Sequence, residues 1–129
     1  MEESPALPPL PPGRYFVAVY RDNIPIPQLR RQIEPHRSLA IGKFSRSKNI
    51  LPDLDLKPHF ASREMARRCS REQAKVLWKD GRILLKNKGK ADIEIPGRMD
   101  LESEGIHFWE VGEALSLPGG LSIVLEKEA

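Results

Sequence analysis

An all-β fold, an antiparallel β-sandwich of about ten or eleven short strands, is what this sequence predicts, and three observations carry the expectation. Short runs of β-branched, aromatic and alternating apolar residues recur along the chain. Turn-forming pairs such as Asp80-Gly81, Pro96-Gly97 and Gly119-Gly120 separate them. Hardly any segment keeps helical periodicity for long. At 129 residues the chain is large enough for one domain with a real core.

The elements follow in order. The first twelve residues hold five of the twelve prolines and show no apolar periodicity. Proline fixes its own φ and lacks an N–H, so residues 1–13 are expected to form a disordered proline-rich tail and residues 14–129 the domain. "RYFVAVY" (14–20) suits a buried strand, and "RDNIPIP" ends it with turn formers. "SLAIGK" (38–43) reads as a strand closing near a glycine, and "DLDL" (53–56) alternates as a half-buried strand does. In "AKVLWKDGRILLKN" (74–87), Asp-Gly lies between two alternating runs, the preferred pair for a two-residue hairpin. "DIEIPG", "GIHFWEV", "EALSL" and "GLSIVLE" complete the set as short strands.

One segment dissents. Residues 62–79, "SREMARRCSREQAKVLWK", place Met65, Cys69 and Val76 near helical spacing, and Ser70 with Gln73 matches a capping box. A strand running from Gln73 into the hairpin accounts for more residues. Ser70 therefore has two readings: a helix cap, or a hydroxyl in a basic loop that receives a phosphate.

Composition narrows the function. No apolar run reaches the ~18 residues that span a bilayer, and no charged-then-apolar leader pattern opens the chain. The expectation is a cytoplasmic protein with no membrane partner. A single cysteine, Cys69, and three scattered histidines point to no internal disulfide, no metal and no cofactor. Trp78 and Trp109 fall in apolar runs and are expected in the core, as is Cys69 in a half-buried structural role. Neither a phosphate-cradling glycine loop nor a nucleophile–base pair at recognisable spacing is present, so no enzyme is expected. The net charge of +3 is unevenly spread: residues 63–98 carry eleven Lys/Arg against five Asp/Glu, and residues 99–129 carry one against seven. A basic middle suits an anionic ligand. Nucleic acid is not the expected partner, because aromatic residues are not interleaved with the basic ones.

The order of these signals resembles the forkhead-associated (FHA) domain family, over nearly everything after the tail. "IGKFSRSKN" (41–49) is similar to the family's Gly-Arg loop, and "DLDL" to the short strand after it. "CSREQAKV" (69–76) resembles the Ser-Arg-x-His stretch, "KNKGKADIEIPGR" (86–98) the two-glycine segment, and "VGEALSLPGGLSIVLE" the closing hairpin. Three departures stand out. Lys43 replaces the phosphate-binding arginine, Gln73 the histidine that supports the site's architecture, and Lys90-Ala91-Asp92 the Asn-Gly turn that grips the peptide backbone. The resemblance implies a non-catalytic, monomeric interaction module that binds phosphothreonine peptides in Ser/Thr kinase signalling through loops at one end of the sandwich. It places Lys43 and Arg46 on one loop, Ser70 and Arg71 on the next, and Lys90 and Ala91 on a third. The chain contains no threonine, so the phosphothreonine would come from another protein. The alternative is a degenerate FHA-like domain whose protein–protein interaction is independent of phosphate.

Overall fold

A computed structural model describes residues 8–128. Ten strands and one short helix run in the order β1 (Arg14–Arg21), β2 (Ile24–Pro25), β3 (Arg31–Gln32), β4 (Leu39–Gly42), β5 (Leu54–Asp55), α1 (Arg63–Arg68), β6 (Glu72–Lys79), β7 (Arg82–Asn87), β8 (Ile106–Phe108), β9 (Ala114–Ser116) and β10 (Leu121–Glu128). They form two five-stranded sheets, one in the order β2-β1-β10-β9 with β3 also on β1, the other β5-β4-β6-β7-β8. The first and last long strands pair antiparallel along their whole length, from Arg14 opposite Glu128 to Arg21 opposite Leu121.

Alternation sets the layers. Tyr15, Val17 and Val19 on β1 and Leu121, Ile123 and Leu125 on β10 point inward. They meet Leu39 and Ile41 of β4, Ala74 and Val76 of β6, and Ile83 and Leu85 of β7 in one core. Burying each larger aliphatic side chain contributes roughly 1.5–3 kcal/mol. Trp109 is fully buried and its indole Nε1 donates to the Glu113 carbonyl at 2.8 Å. Trp78 is half-buried, donates to the Ile33 carbonyl at 3.1 Å, and meets Tyr15 edge-on with centroids 5.3 Å apart. Each tryptophan thus finds the partner its N–H requires.

The expected hairpin is present: Lys79 faces Arg82 across a turn in which Asp80 (φ 50°) and Gly81 (φ 75°) are both left-handed. Other expectations need correction. β4 and β5 pair parallel, Ile41 opposite Leu54, so the second sheet is mixed rather than wholly antiparallel. "DIEIPG" forms no strand; Ile93 and Glu94 make only isolated bridges to Leu101 and Ser116. A helix does exist within 62–79, but it is capped by Ser62, whose side chain accepts from Met65 N, and it ends at Arg68 before the strand begins. Residues 1–7 of the proline-rich tail lie outside the described residues. Residues 8–12 run beside the β6–β7 turn, where Leu10 N donates to the Gly81 carbonyl at 2.9 Å and Arg82 Nη1 to that of Pro8 at 3.3 Å.

Ile123 lies at the centre of β10 with no solvent exposure. Ile123→Ala should cost about 2–4 kcal/mol of folding free energy in urea titration, with the fold retained.

Candidate anion-binding site

Three chain segments meet at one end of the sandwich, and two close backbone approaches hold them there. A Cβ on Gly42, at the end of β4, would fall 1.8 Å from the Arg71 carbonyl oxygen, so only glycine lets the strands close. Lys43 N then donates to that carbonyl at 2.9 Å. A Cβ on Gly89 would fall 2.5 Å from Gln73 Nε2.

Beneath the third segment lies a buried pair of amides. Gln73 and Asn87 are both fully buried, and Gln73 Nε2 donates to Asn87 Oδ1 at 3.2 Å. Gln73 Oε1 accepts from Ser70 N at 2.9 Å. Asn87 Nδ2 donates to the carbonyls of Ala91 and Leu101, each at 2.9 Å, and its Oδ1 also accepts from Gly89 N at 3.0 Å. The two side chains therefore tie the Ser70 loop, the 88–91 loop and the Leu101 segment to β6 and β7.

This scaffold decides how Ser70 is presented. Ser70 is half-buried and lies outside the helix, one residue beyond its C-cap Cys69. Its Oγ accepts from Lys90 N at 3.1 Å, which leaves its own hydroxyl hydrogen free to donate outward. The capping-box pairing is half made: Gln73 reaches back to the Ser70 N–H, yet the chain continues as a strand.

Lys43, Ser70, Arg71, Lys90 and Ala91 line one open depression of about 830 Å³, together with Lys48, Arg67, Arg68 and Lys88. Five of the six residues assigned from the sequence are thereby brought together. Arg46 is not among them; it lines an adjoining depression. Lys43 is half-buried, and its Nζ donates to the Ala66 carbonyl in the last turn of α1 at 2.7 Å, which keeps two donors for a ligand. Of the remaining cations, Lys88 lies 3.7 Å from Glu104, which Lys86, outside the depression, also approaches at 3.0 Å. The hydrogen bond and charge of Lys86, with Lys88, hold the Glu104 carboxyl below its usual range. Arg68 reaches Glu64 at 3.6 Å. Lys48, Arg67, Arg71 and Lys90 form no ion pair among the described residues.

Sequence reasoning missed Asn87, the organising residue. Its one signal was a polar side chain ending an apolar strand two residues before a glycine. Cys69, expected to be half-buried, is fully buried: burial pushes its thiol up to about 12, against the opposing pull of the Lys43 ammonium.

No family model matches the chain, and no curated protein matches it. Solved structures do. An FHA domain of a hypothetical protein from Arabidopsis thaliana superposes with a TM-score of 0.66 at 11% identity, over 98% of this chain and 96% of its own. Full-length yeast Pml1p gives 0.65 at 10% identity, over 89% of this chain and 82% of its own. The MEK1 FHA domain in complex with a phosphothreonine peptide of HOP1 gives 0.59 at 10% identity, over 88% of this chain and 97% of its own. The chain has the FHA fold.

Two outcomes follow from this geometry. Asn87→Ala strands several buried groups and should cost roughly 3 kcal/mol or more in denaturant titration. Hydrogen exchange at Gly89 and Lys90 should accelerate with it. The raised Cys69 thiol favours the neutral form when folded, so its stabilising contribution is complete below about pH 9. It is lost as pH rises toward about 12. Wild-type stability should fall more steeply than that of Cys69→Ala across that window, as measured by urea unfolding at fixed pH steps.

Proposed function

We propose that this chain is a non-catalytic interaction module that binds phosphothreonine-bearing segments of another protein, a product of Ser/Thr kinase action, at the depression around Ser70. One observation carries the reading. Residues 43, 70, 71 and 90, scattered over almost fifty positions of sequence, converge on one basic surface whose hydroxyl is left with a free donor.

The chemistry of the ligand fits. A phosphothreonine brings about −1.5 to −2 charges and three strong acceptor oxygens near neutral pH. The Ser70 hydroxyl donates to one oxygen, and the two remaining Lys43 protons and the Arg71 guanidinium supply charge-assisted bonds to the others. Lys43 contributes a point charge rather than the planar two-pronged grip of an arginine, so affinity depends on several cations acting together. The FHA fold, and the phosphothreonine peptide bound by the MEK1 domain of that fold, support a phosphopeptide as the class of ligand. Gln73 supplies the bond to the Ser70 backbone, so the departure from histidine leaves the loop supported.

The test is a titration of matched phosphorylated and unphosphorylated threonine peptides. Ser70→Ala and Lys43→Ala should each weaken phosphopeptide binding by more than about 1 kcal/mol, roughly fivefold or more, while thermal unfolding shows the fold intact. Lys43→Arg should bind at least as tightly as wild type. Equal affinity for both peptides would dismiss phosphate recognition and leave a phosphate-independent interaction as the function.

A further inference from the structure

A second depression of about 490 Å³ adjoins the first. Lys43, Arg46, Lys57, Arg63, Arg67 and Arg71 line it, with no carboxylate among its lining residues. None of the six forms an ion pair among the described residues. Lys43, Arg67 and Arg71 line both depressions, so the two are contiguous, and the first adds four further cations. Ten of the chain's 21 Lys/Arg residues thus border one continuous surface, with Glu72 the single carboxylate among its lining residues. The size of this excess decides what it suits. One phosphothreonine brings about two negative charges, which leaves most of the surface unmatched. A polymer with a phosphate on every unit meets the cations along the whole surface and releases the counter-ions held there.

The second basin also carries an aromatic ring: Phe44 lines it and is 39% exposed. The expectation against nucleic acid rested on the want of aromatic residues among the cations, and folding changes that ground by setting Phe44 in one basin with Arg63 and Arg67 of α1. Phosphates on cations and an unstacked base on an exposed ring are the contacts that hold a single strand. In a duplex the base faces are covered by their neighbours, so such a ring has nothing to stack on. The setting of Phe44 is fixed. Asp55 Oδ1 accepts from Phe44 N at 2.9 Å and from Lys57 N at 3.0 Å, which pins the loop that bears Arg46 against the one that bears Lys57. Ser62 caps the helix that carries Arg63 and Arg67, and Lys43 ties its last turn.

We propose that the two depressions together form a path for single-stranded nucleic acid, RNA or DNA, with the cations as phosphate contacts and Phe44 as the stacking platform. This inference stands on the charge excess and the exposed ring, and it is independent of phosphothreonine recognition at Ser70.

Fluorescence anisotropy with oligodeoxythymidine and oligouridine of about twelve nucleotides tests this, and the tighter of the two identifies the preferred sugar. With about five phosphates neutralised, affinity should fall on the order of a hundredfold between about 50 and about 200 mM salt. The double variant Lys57→Ser, Arg63→Ser should weaken binding about tenfold at the lower salt and flatten the salt dependence. Phe44→Ala should weaken it about fivefold or more and leave the salt dependence unchanged. In wild type, a strand of equal length whose nucleotides lack bases should show a matching loss, a comparison that needs no variant. Thermal unfolding checks that both variants fold. Absence of binding by either strand at the lower salt would overturn the path, and so would an affinity unchanged in the Lys57, Arg63 variant. An abasic strand that binds as tightly as the strands with bases would overturn the stacking role of Phe44. A duplex of the same length that binds more tightly than both single strands would overturn the single-strand assignment.

Discussion

Two uncharged amides, Gln73 and Asn87, sit in the core beneath a surface of cations, and the site's shape depends on their hydrogen bond. Burying an amide without partners costs on the order of 1–3 kcal/mol, so such a pair persists only if almost every donor and acceptor is met. Here the accounting is close to complete: Gln73 serves Ser70 and Asn87, and Asn87 serves Gly89, Ala91 and Leu101. The pair is anchored on two long strands that pair from Ala74 opposite Asn87 to Lys79 opposite Arg82. Loops that would otherwise be free to move under mutual repulsion are thereby fastened to the stiffest part of the sheet.

That fastening separates two tasks. Apolar burial between the sheets stabilises the molecule, with Ile83, Leu85, Ile123 and Leu125 among the wholly buried contributors. The amides orient the rim at a smaller net gain, since each bond they make replaces one to water. Electrostatics alone opposes the arrangement, because the rim concentrates cations that Glu104 and Glu64 only partly neutralise. A ligand anion would relieve that repulsion, and the scaffold prevents the loops from relieving it earlier by spreading apart.

Much of the fold was legible because it rests on local rules. Asp80-Gly81 demanded a tight turn, the alternation on either side of it fixed which faces are buried, and β1 and β10 announced themselves by apolar density. What escaped depends on contacts distant in sequence. The parallel pairing of β4 with β5 leaves no local mark, and "DIEIPG" alternates like a strand yet lacks a neighbour able to pair along its length. Ser70 kept two readings because the Ser70–Gln73 spacing is a real signal with two structural solutions. The glutamine does return to the serine N–H, as in a capping box, but the serine oxygen turns to Lys90 N instead of its own next turn. Of the six candidate residues, five meet at one depression, while the loop of Arg46 carries it past to the next; Asn87 was not a candidate, because its role appears only once the 87–101 segment folds back over it.

The character of recognition follows from which cations are fixed and which are free. An arginine held rigidly at position 43 would grip two oxygens of a phosphate in one plane and discriminate by geometry. Lys43 spends one donor on the helix and keeps the remainder as a hydrated point charge, while Arg67, Arg71 and Lys90 are exposed and form no ion pair among the described residues. Such a surface would respond to the amount of negative charge more than to its shape. Exposed pairs are each worth a fraction of a kcal/mol to about 1 kcal/mol and weaken with salt, so a single dianion engages only part of what the rim offers. A lysine at position 43 would therefore make discrimination on the proposed reading depend on the charge of the ligand more than on the form of one phosphate.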